Sequence, residues 1–183
     1  MEDRFLIEQS AKGNKNAFRQ LVVRYQRMVF SFLGTFLFPA QVLEDLAQET
    51  FLRAYRNIAD FDAEKGASFS TWFITIARNL AIDEKAKKKR RREHLRSVLD
   101  INQNVREENP QDKLEKHSLN SRVYSAINRL PEKFHTAVVL SYFDEFSLEE
   151  IAQIEKCPVG TVKSRVFRGK QILRQILEKE NVL

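Results

Sequence analysis

Apolar residues recur along most of this chain at spacings of three and four. That period constrains the fold more than any other feature, because it is the repeat of one face of an α-helix and not the alternation of a strand. Only five Gly and four Pro punctuate the 183 residues, so long helices joined by short connections are the economical reading. With 43% hydrophobic and 10% aromatic residues the chain can bury a core, and the predicted fold is all-α.

The periodicity places a helix from about Asn16 to Phe36, with Phe18, Leu21, Val22, Tyr25, Val29, Phe32, Leu33 and Phe36 in one stripe. A second, after Pro39, sets Leu43, Leu46, Ala47, Phe51, Ala54 and Ile58 inward and leaves a crowded face of both charge signs. The stretch around Gly66 reads as a loop leading into a third helix with Phe69, Trp72, Phe73, Ile76 and Leu80 inside. Periodicity fades between about Leu95 and Ser118, where Asn, Pro and acidic residues suggest a linker. Two small helical domains, 1–94 and 119–183, joined by a flexible linker at 95–118, are therefore expected.

In the second half, Ser147 and Glu150 form a capping-box pattern before Leu148–Glu155, and Pro158 sits where the next helix would open. Two short helices joined by a tight turn make a helix-turn-helix. Winding the last helix at its natural period turns Val159, Val162, Val166, Leu173, Ile176 and Leu177 inward, and Lys163, Ser164, Phe167, Arg168, Gln171 and Arg174 outward. Lys163 to Arg174 holds five basic residues and no acidic one, which favours phosphate and base contacts over a merely solvated face. An outward Phe167 suits apolar contact with a thymine methyl; packing on an adjacent loop is the alternative.

A second basic site lies in the first half, where seven positive charges fall in the eight residues from Lys85. With a net charge of +6, the chain is expected to touch DNA at two separated places. The single Cys157 excludes an internal disulfide, and His94, His117 and His135 are too scattered for metal-ligand spacing. No metal, cofactor, catalytic residue or small-molecule substrate is expected. Met1 to Ser10 carries three acidic residues and no apolar run, so neither a secretory signal nor a membrane span is expected, and a cytoplasmic location follows.

Particular strings carry a resemblance. Asp45-Leu46-Ala47-Gln48-Glu49-Thr50-Phe51 resembles the polymerase-binding segment of sigma-70-type factors, and Phe69-Ser70-Thr71-Trp72-Phe73 with Ile76-Ala77-Arg78-Asn79 and Asp83 resembles their promoter-melting and minus-ten-reading segments. Leu130-Pro131-Glu132-Lys133, Ser147 to Ala152 and Cys157 to Arg165 look like region 4 of the same family. With a linker in place of a larger middle domain, the order is similar to the extracytoplasmic-function class, sigma-E type. Glu84 stands where relatives commonly carry Arg, so which basic side chain meets which phosphate is open.

The resemblance implies a sigma factor that binds core RNA polymerase and directs promoter-specific initiation in an envelope or extracytoplasmic stress response. It implies that Asp45, Gln48, Glu49 and Arg53 dock on the clamp helices of the largest polymerase subunit, with region 4 meeting the flap of the second-largest. It implies that Asn79, Lys87, Lys88 and Arg90 contact the minus-ten DNA, and that the loop from Phe61 to Ser68 holds an extruded base. Lys163, Ser164, Arg165, Phe167 and Arg168 match positions that read the minus-thirty-five element. By winding, Arg165 lies on the flank and could instead pair with Glu149 or Glu150. Asp83 is expected buried and paired, and Trp72 in the core. A linker threading through polymerase and an anti-sigma factor, possibly membrane-anchored, are implied in the same way.

Two other functions compete. An autonomous helix-turn-helix regulator would bind duplex DNA without polymerase but leaves Asp45 to Phe51 unexplained. A nuclease would require clustered carboxylates or a metal set; Asp45 and Glu49 lie one turn apart, and nothing further joins them.

Overall fold

A computed structural model of the chain describes residues 2–61, 67–99, 119–142 and 146–180. Among them the regular elements are helical: α1 (Glu2–Ala11), α2 (Lys15–Gly34), α3 (Ala40–Asn57), a single 3-10 turn at Ile58–Asp60, α4 (Phe69–Leu99), α5 (Leu119–Asn128), α6 (Glu132–Tyr142), α7 (Leu148–Glu155) and α8 (Val159–Lys179). No strand occurs among the described residues.

The first helix was not legible in the sequence pattern. It is short and weakly amphipathic, and it buries only Leu6 and Ser10 against its neighbours. Asp3 ties it to α2, accepting a hydrogen bond from the Tyr25 hydroxyl at 2.6 Å and pairing with Arg24. Burial, then the Asp3 carboxylate, raises the Tyr25 pKa. Gly13 ends the turn at φ +90°, a conformation that favours glycine, and the Asn14 side chain then caps α2 by accepting from the Asn16 and Ala17 amides.

The N-terminal half packs α2, α3 and α4 around aromatic rings. Phe73, fully buried, lies 5.8 Å from Tyr25, 5.7 Å from Phe51 and 5.6 Å from Phe69, centroid to centroid. Trp72 is half-buried at the edge of this cluster, 5.4 Å from both Phe61 and Phe69, rather than inside it. Asp83 departs further from expectation: it is exposed. The buried stripe of α4 runs through Phe73, Ala77, Leu80 and Ala81, and Asp83 falls beyond its edge.

Two features of α4 differ from the sequence reading. The basic run is itself helical, and the helix continues to Leu99, past the expected start of the linker. The remaining linker positions, 100–118, lie outside the described residues, as do 62–66 of the expected base-holding loop.

In the C-terminal half, α6 is buried nearly throughout, from Phe134 to Leu140, and α7 and α8 pack against it. The capping box is formed in full: the Ser147 hydroxyl accepts from the Glu150 amide while the Glu150 carboxylate accepts from the Ser147 amide. Lys156 closes α7 in the left-handed region at φ 51°, and Pro158 is the N-cap of α8.

The halves also pack on each other. His135 of α6 is 1% exposed, its Nε2 donates to the Thr35 carbonyl at 3.2 Å, and its ring lies 4.3 Å from that of Phe36. Burial, then the nearby Lys85 charge, pushes the His135 pKa down to about 4, so the imidazole is neutral.

Candidate functional site

The structure presents three exposed polar faces. On α3, Asp45, Gln48 and Arg53 are exposed and Glu49 is partly so; their spacing puts them on one face. Gln41 donates to Asp45 at 3.1 Å and Arg53 pairs with Glu49 at 2.7 Å. Such exposed pairs stabilise a helix by only about 0.3–0.5 kcal/mol, so the charges stay available to a partner. The sequence reading missed Leu52, which is 49% exposed on the same face. Its signal was present: it stands seven residues after Asp45 and off the buried stripe of Leu46, Ala47, Thr50 and Ala54.

On α4, Asn79, Lys87, Lys88 and Arg90 are all exposed. Helical winding aligns Asn79 with Arg90, sets Lys87 on the flank of that stripe and turns Lys88 to the opposite side of the helix. The Arg78 guanidinium donates to the Asn79 side-chain oxygen at 3.3 Å, leaving the amide donors outward. Lys85, counted in the basic run by sequence, turns the other way. Its ammonium sits 5.0 Å from the Phe36 ring centroid and donates to Asn128 at 3.0 Å, and burial lowers its pKa.

The helix-turn-helix supplies the third face. Lys163, Ser164, Phe167 and Arg168 are exposed on α8, and Phe167 is 63% exposed with no loop packed over it among the described residues. Val162 and Leu177 are buried as the winding predicts, whereas Val159 at the helix start is 38% exposed. Arg165 is directed elsewhere. Its Nη1 donates to Glu155 at 2.6 Å and lies 3.6 Å from the Cys157 sulfur, and the Glu155 hydrogen bond raises its pKa. The partner is thus Glu155, not Glu149 or Glu150. Glu155 is the last residue of α7 and its side chain is 1% exposed, so the pair staples the end of α7 to the start of α8 across the turn.

That pair makes a prediction. Glu155→Gln should lower the unfolding free energy by about 1–3 kcal/mol, because the buried end of a charged hydrogen bond is lost. Arg165→Ala should show a similar fall in thermal unfolding followed by circular dichroism. Unchanged stability in both, with weakened DNA binding in the Arg165 variant alone, would make Arg165 a phosphate contact instead.

Among the described residues, no group of three or more His, Cys, Asp or Glu side chains could hold a metal ion, and no helix is long and apolar enough to cross a membrane.

Residues 21–91 match the family model for sigma-70 region 2, and residues 121–173 match sigma-70 region 4. The chain is 36% identical over 179 residues to the ECF RNA polymerase sigma factor SigW of Bacillus subtilis (strain 168), covering 93% of this chain and 94% of that one. It is 35% identical over 182 residues to the ECF RNA polymerase sigma-E factor of Escherichia coli (strain K12), covering 94% and 93%. Among solved structures, CnrH in complex with the cytosolic domain of CnrY superposes with a TM-score of 0.74 at 25% identity, over 98% of this chain and 99% of that one. The sigma factor RpoE in complex with the anti-sigma factor NepR, from Bartonella quintana, gives 0.64 at 25% identity, over 88% and 96%.

Proposed function

The chain belongs to the extracytoplasmic-function sigma factors of the sigma-70 family, and from that premise we propose how its three faces divide promoter-specific initiation by core RNA polymerase. The α3 face docks on polymerase: Asp45, Gln48, Glu49 and Arg53 pair with charges of both signs on the clamp helices, and Leu52 is the apolar anchor among them. The flap of the second-largest subunit is assigned to the C-terminal half.

Asn79, Lys87, Lys88 and Arg90 on α4 hold the minus-ten DNA, the Asn79 amide reading a base edge and the others neutralising phosphates. Lys163, Ser164, Phe167 and Arg168 enter the major groove at the minus-thirty-five element, with Arg165 positioning the helix that carries them. The single observation that supports this reading most is the α8 face, basic, free of acidic residues and bearing an exposed Phe167 in a helix-turn-helix. The unit that ends with α4, the linker that follows it to 118 and the unit from 119 work as separate parts.

The protein acts in the cytoplasm, where its polymerase is, in an envelope or extracytoplasmic stress response. An anti-sigma factor restrains it, as the NepR complex of a similarly folded sigma factor suggests. The test is a mixture of the purified chain with sigma-free core polymerase, scored for a co-eluting complex and for specific starts on genomic promoter fragments. Asp45→Ala with Glu49→Ala should weaken the complex by about tenfold or more, the equivalent of 1.4 kcal/mol or above. Failure to bind core, with unaided sequence-specific binding to duplex DNA, would overturn the reading in favour of an autonomous regulator.

A further inference from the structure

Helix α2 keeps one face clear of the rest of the fold. Its 20 residues include Lys15, Arg19, Arg24 and Arg27 and no Asp or Glu. Arg19, Val23, Arg27 and Phe30 fall within an arc of about 80° at the helical period. All four are exposed, Val23 to 62% and Phe30 to 37%. Arg24 is engaged by Asp3, whereas Arg19 and Arg27 meet no carboxylate among the described residues. Beside them Arg19, Gln20, Val23 and Arg24 line a shallow, open and mainly apolar recess. The C-terminal half does not cover this arc. His135 meets Thr35 and Phe36 past the end of α2, Glu150 meets Ser68 and Thr71 at the start of α4, and Asn128 meets Lys85.

We propose that this face docks an acidic amphipathic helix of a protein partner, with apolar side chains on Val23 and Phe30 and carboxylates against Arg19 and Arg27. The two guanidinium groups stand eight residues apart on one helix, about 12 Å along its axis, a span that carboxylates two turns apart on an incoming helix reproduce. Guanidinium and carboxylate meet in paired, charge-assisted hydrogen bonds, which fix the register as well as the sign. Composition selects a protein over other anions. The centres of protein interfaces are rich in Arg and aromatic residues and poor in Lys, and this arc holds two Arg, a Phe and a Val. The faces proposed for DNA instead carry Lys87 and Lys88 on α4 and Lys163 on α8. An anionic lipid surface fits worse, because a helix lying in a bilayer buries its apolar side there, and that side of α2, with Phe18, Leu21, Phe32 and Leu33, is committed to the core.

The same winding sets the arc roughly opposite the buried residues that hold α2 against α3 and α4. It is therefore a different surface from the α3 face, and a helix seated on it leaves Asp45, Glu49 and Leu52 open. Resting on the sigma-factor reading above, the inference is that this partner joins the chain with polymerase in place and does not compete with it.

The test uses the full chain at physiological salt, where screening suppresses loose attraction to the net charge. The probe is a fluorescein-labelled helical peptide about five turns long, its Leu stripe flanked by Glu residues two turns apart. Fluorescence anisotropy should show it bound about tenfold or more tighter than a copy with Lys at every Glu. Arg19→Glu with Arg27→Glu should weaken the Glu peptide about tenfold or more and let the Lys peptide bind in its place. Val23→Ser with Phe30→Ser, which leaves the charge unchanged, should weaken it about fivefold or more. Arg91→Glu with Arg92→Glu, an equal charge change on exposed residues of α4, should leave it within about twofold. Thermal unfolding should match the parent in all three variants, since every substituted side chain is exposed. No loss in the charge-reversed α2 variant, or an equal loss in the α4 variant, overturns the inference. So does release of the peptide by core polymerase. A phosphatidylglycerol vesicle or an oligonucleotide that binds more tightly than the peptide, and is lost only in the α2 variant, assigns the face to phosphates and overturns it too. A chain that holds the peptide in the expected pattern but never binds core upholds the docking face and takes down the sigma reading together with the joint complex.

Discussion

Phe73→Ala is expected to lower the unfolding free energy by about 3–5 kcal/mol, the usual cost of deleting a fully buried aromatic ring. Phe73 touches rings from three helices: Tyr25 on α2, Phe51 on α3, and Phe69 on its own α4. No single rotamer change could close a cavity with walls on three separate elements, so little relaxation should soften the loss. Domains of this size have only about 5–15 kcal/mol in total, and the exposed polar faces of both α3 and α4 are carried by helices held in this packing. Urea denaturation followed by circular dichroism measures it. Phe73→Leu, closer in volume, should cost clearly less, and a loss below about 1 kcal/mol for the alanine variant would mean the aromatic cluster is not the stabilising core.

Gly169→Val should be damaging in the other half as well, at about 1–3 kcal/mol or above, and should weaken the minus-thirty-five recognition proposed for α8 with it. Gly169 is buried where α8 crosses α6, and a Cβ placed there would stand 2.5 Å from the Val138 methyl and 3.2 Å from the Phe134 Cβ. Ordinarily a helix-interior glycine is the weaker choice, by about 0.5–1 kcal/mol against alanine. Here the crossing distance reverses that preference. Alanine requires the Val138 methyl to yield; valine adds two further methyl groups and must push the helices apart, an overpacking cost of about 1–3 kcal/mol or above. Since Lys163, Phe167 and Arg168 stand on α8, displacing it moves the face proposed above to enter the groove. Thermal unfolding together with binding of the core complex to a promoter fragment reads both effects. Wild-type stability in the valine variant would show that the crossing is looser than these distances imply.

Much of the architecture was legible because it depends on local repetition. The stripes of α2 and α3 and the inward residues Phe69, Phe73 and Leu80 of α4 follow from helical winding alone, and the Ser147–Glu150 cap needs no tertiary contact. Where the sequence reading went astray, either a neighbour or the finer winding of the helix itself was responsible. Helix α1 carries too weak a pattern to stand alone and is secured by Asp3 against Arg24 and Tyr25, residues 21 and 22 positions away. Asp83 was placed inward by proximity to the stripe, but the turn of the helix carries it past the edge.

The exposed faces divide in the same way. The exposure of Lys163, Ser164, Phe167 and Arg168 could be read from winding, since exposure on a helix is set by its own period once the buried side is known. Arg165 could not be assigned, because its neighbour in space is Glu155, ten residues back across a turn whose angle depends on Lys156 entering the left-handed region. The same holds for Lys85, one of seven basic residues by sequence and a partly buried bridge to Asn128 in the fold.

By itself, then, the sequence determined an all-helical chain, its two halves, the helix-turn-helix and the residue types on each face, all consequences of period, capping and charge along one strand of backbone. Only the tertiary structure decided which basic residues face outward, that Gly169 marks a close crossing, and that Glu150 and His135 meet the other half. Those outcomes depend on distances between residues far apart in the chain, and no local pattern encodes them.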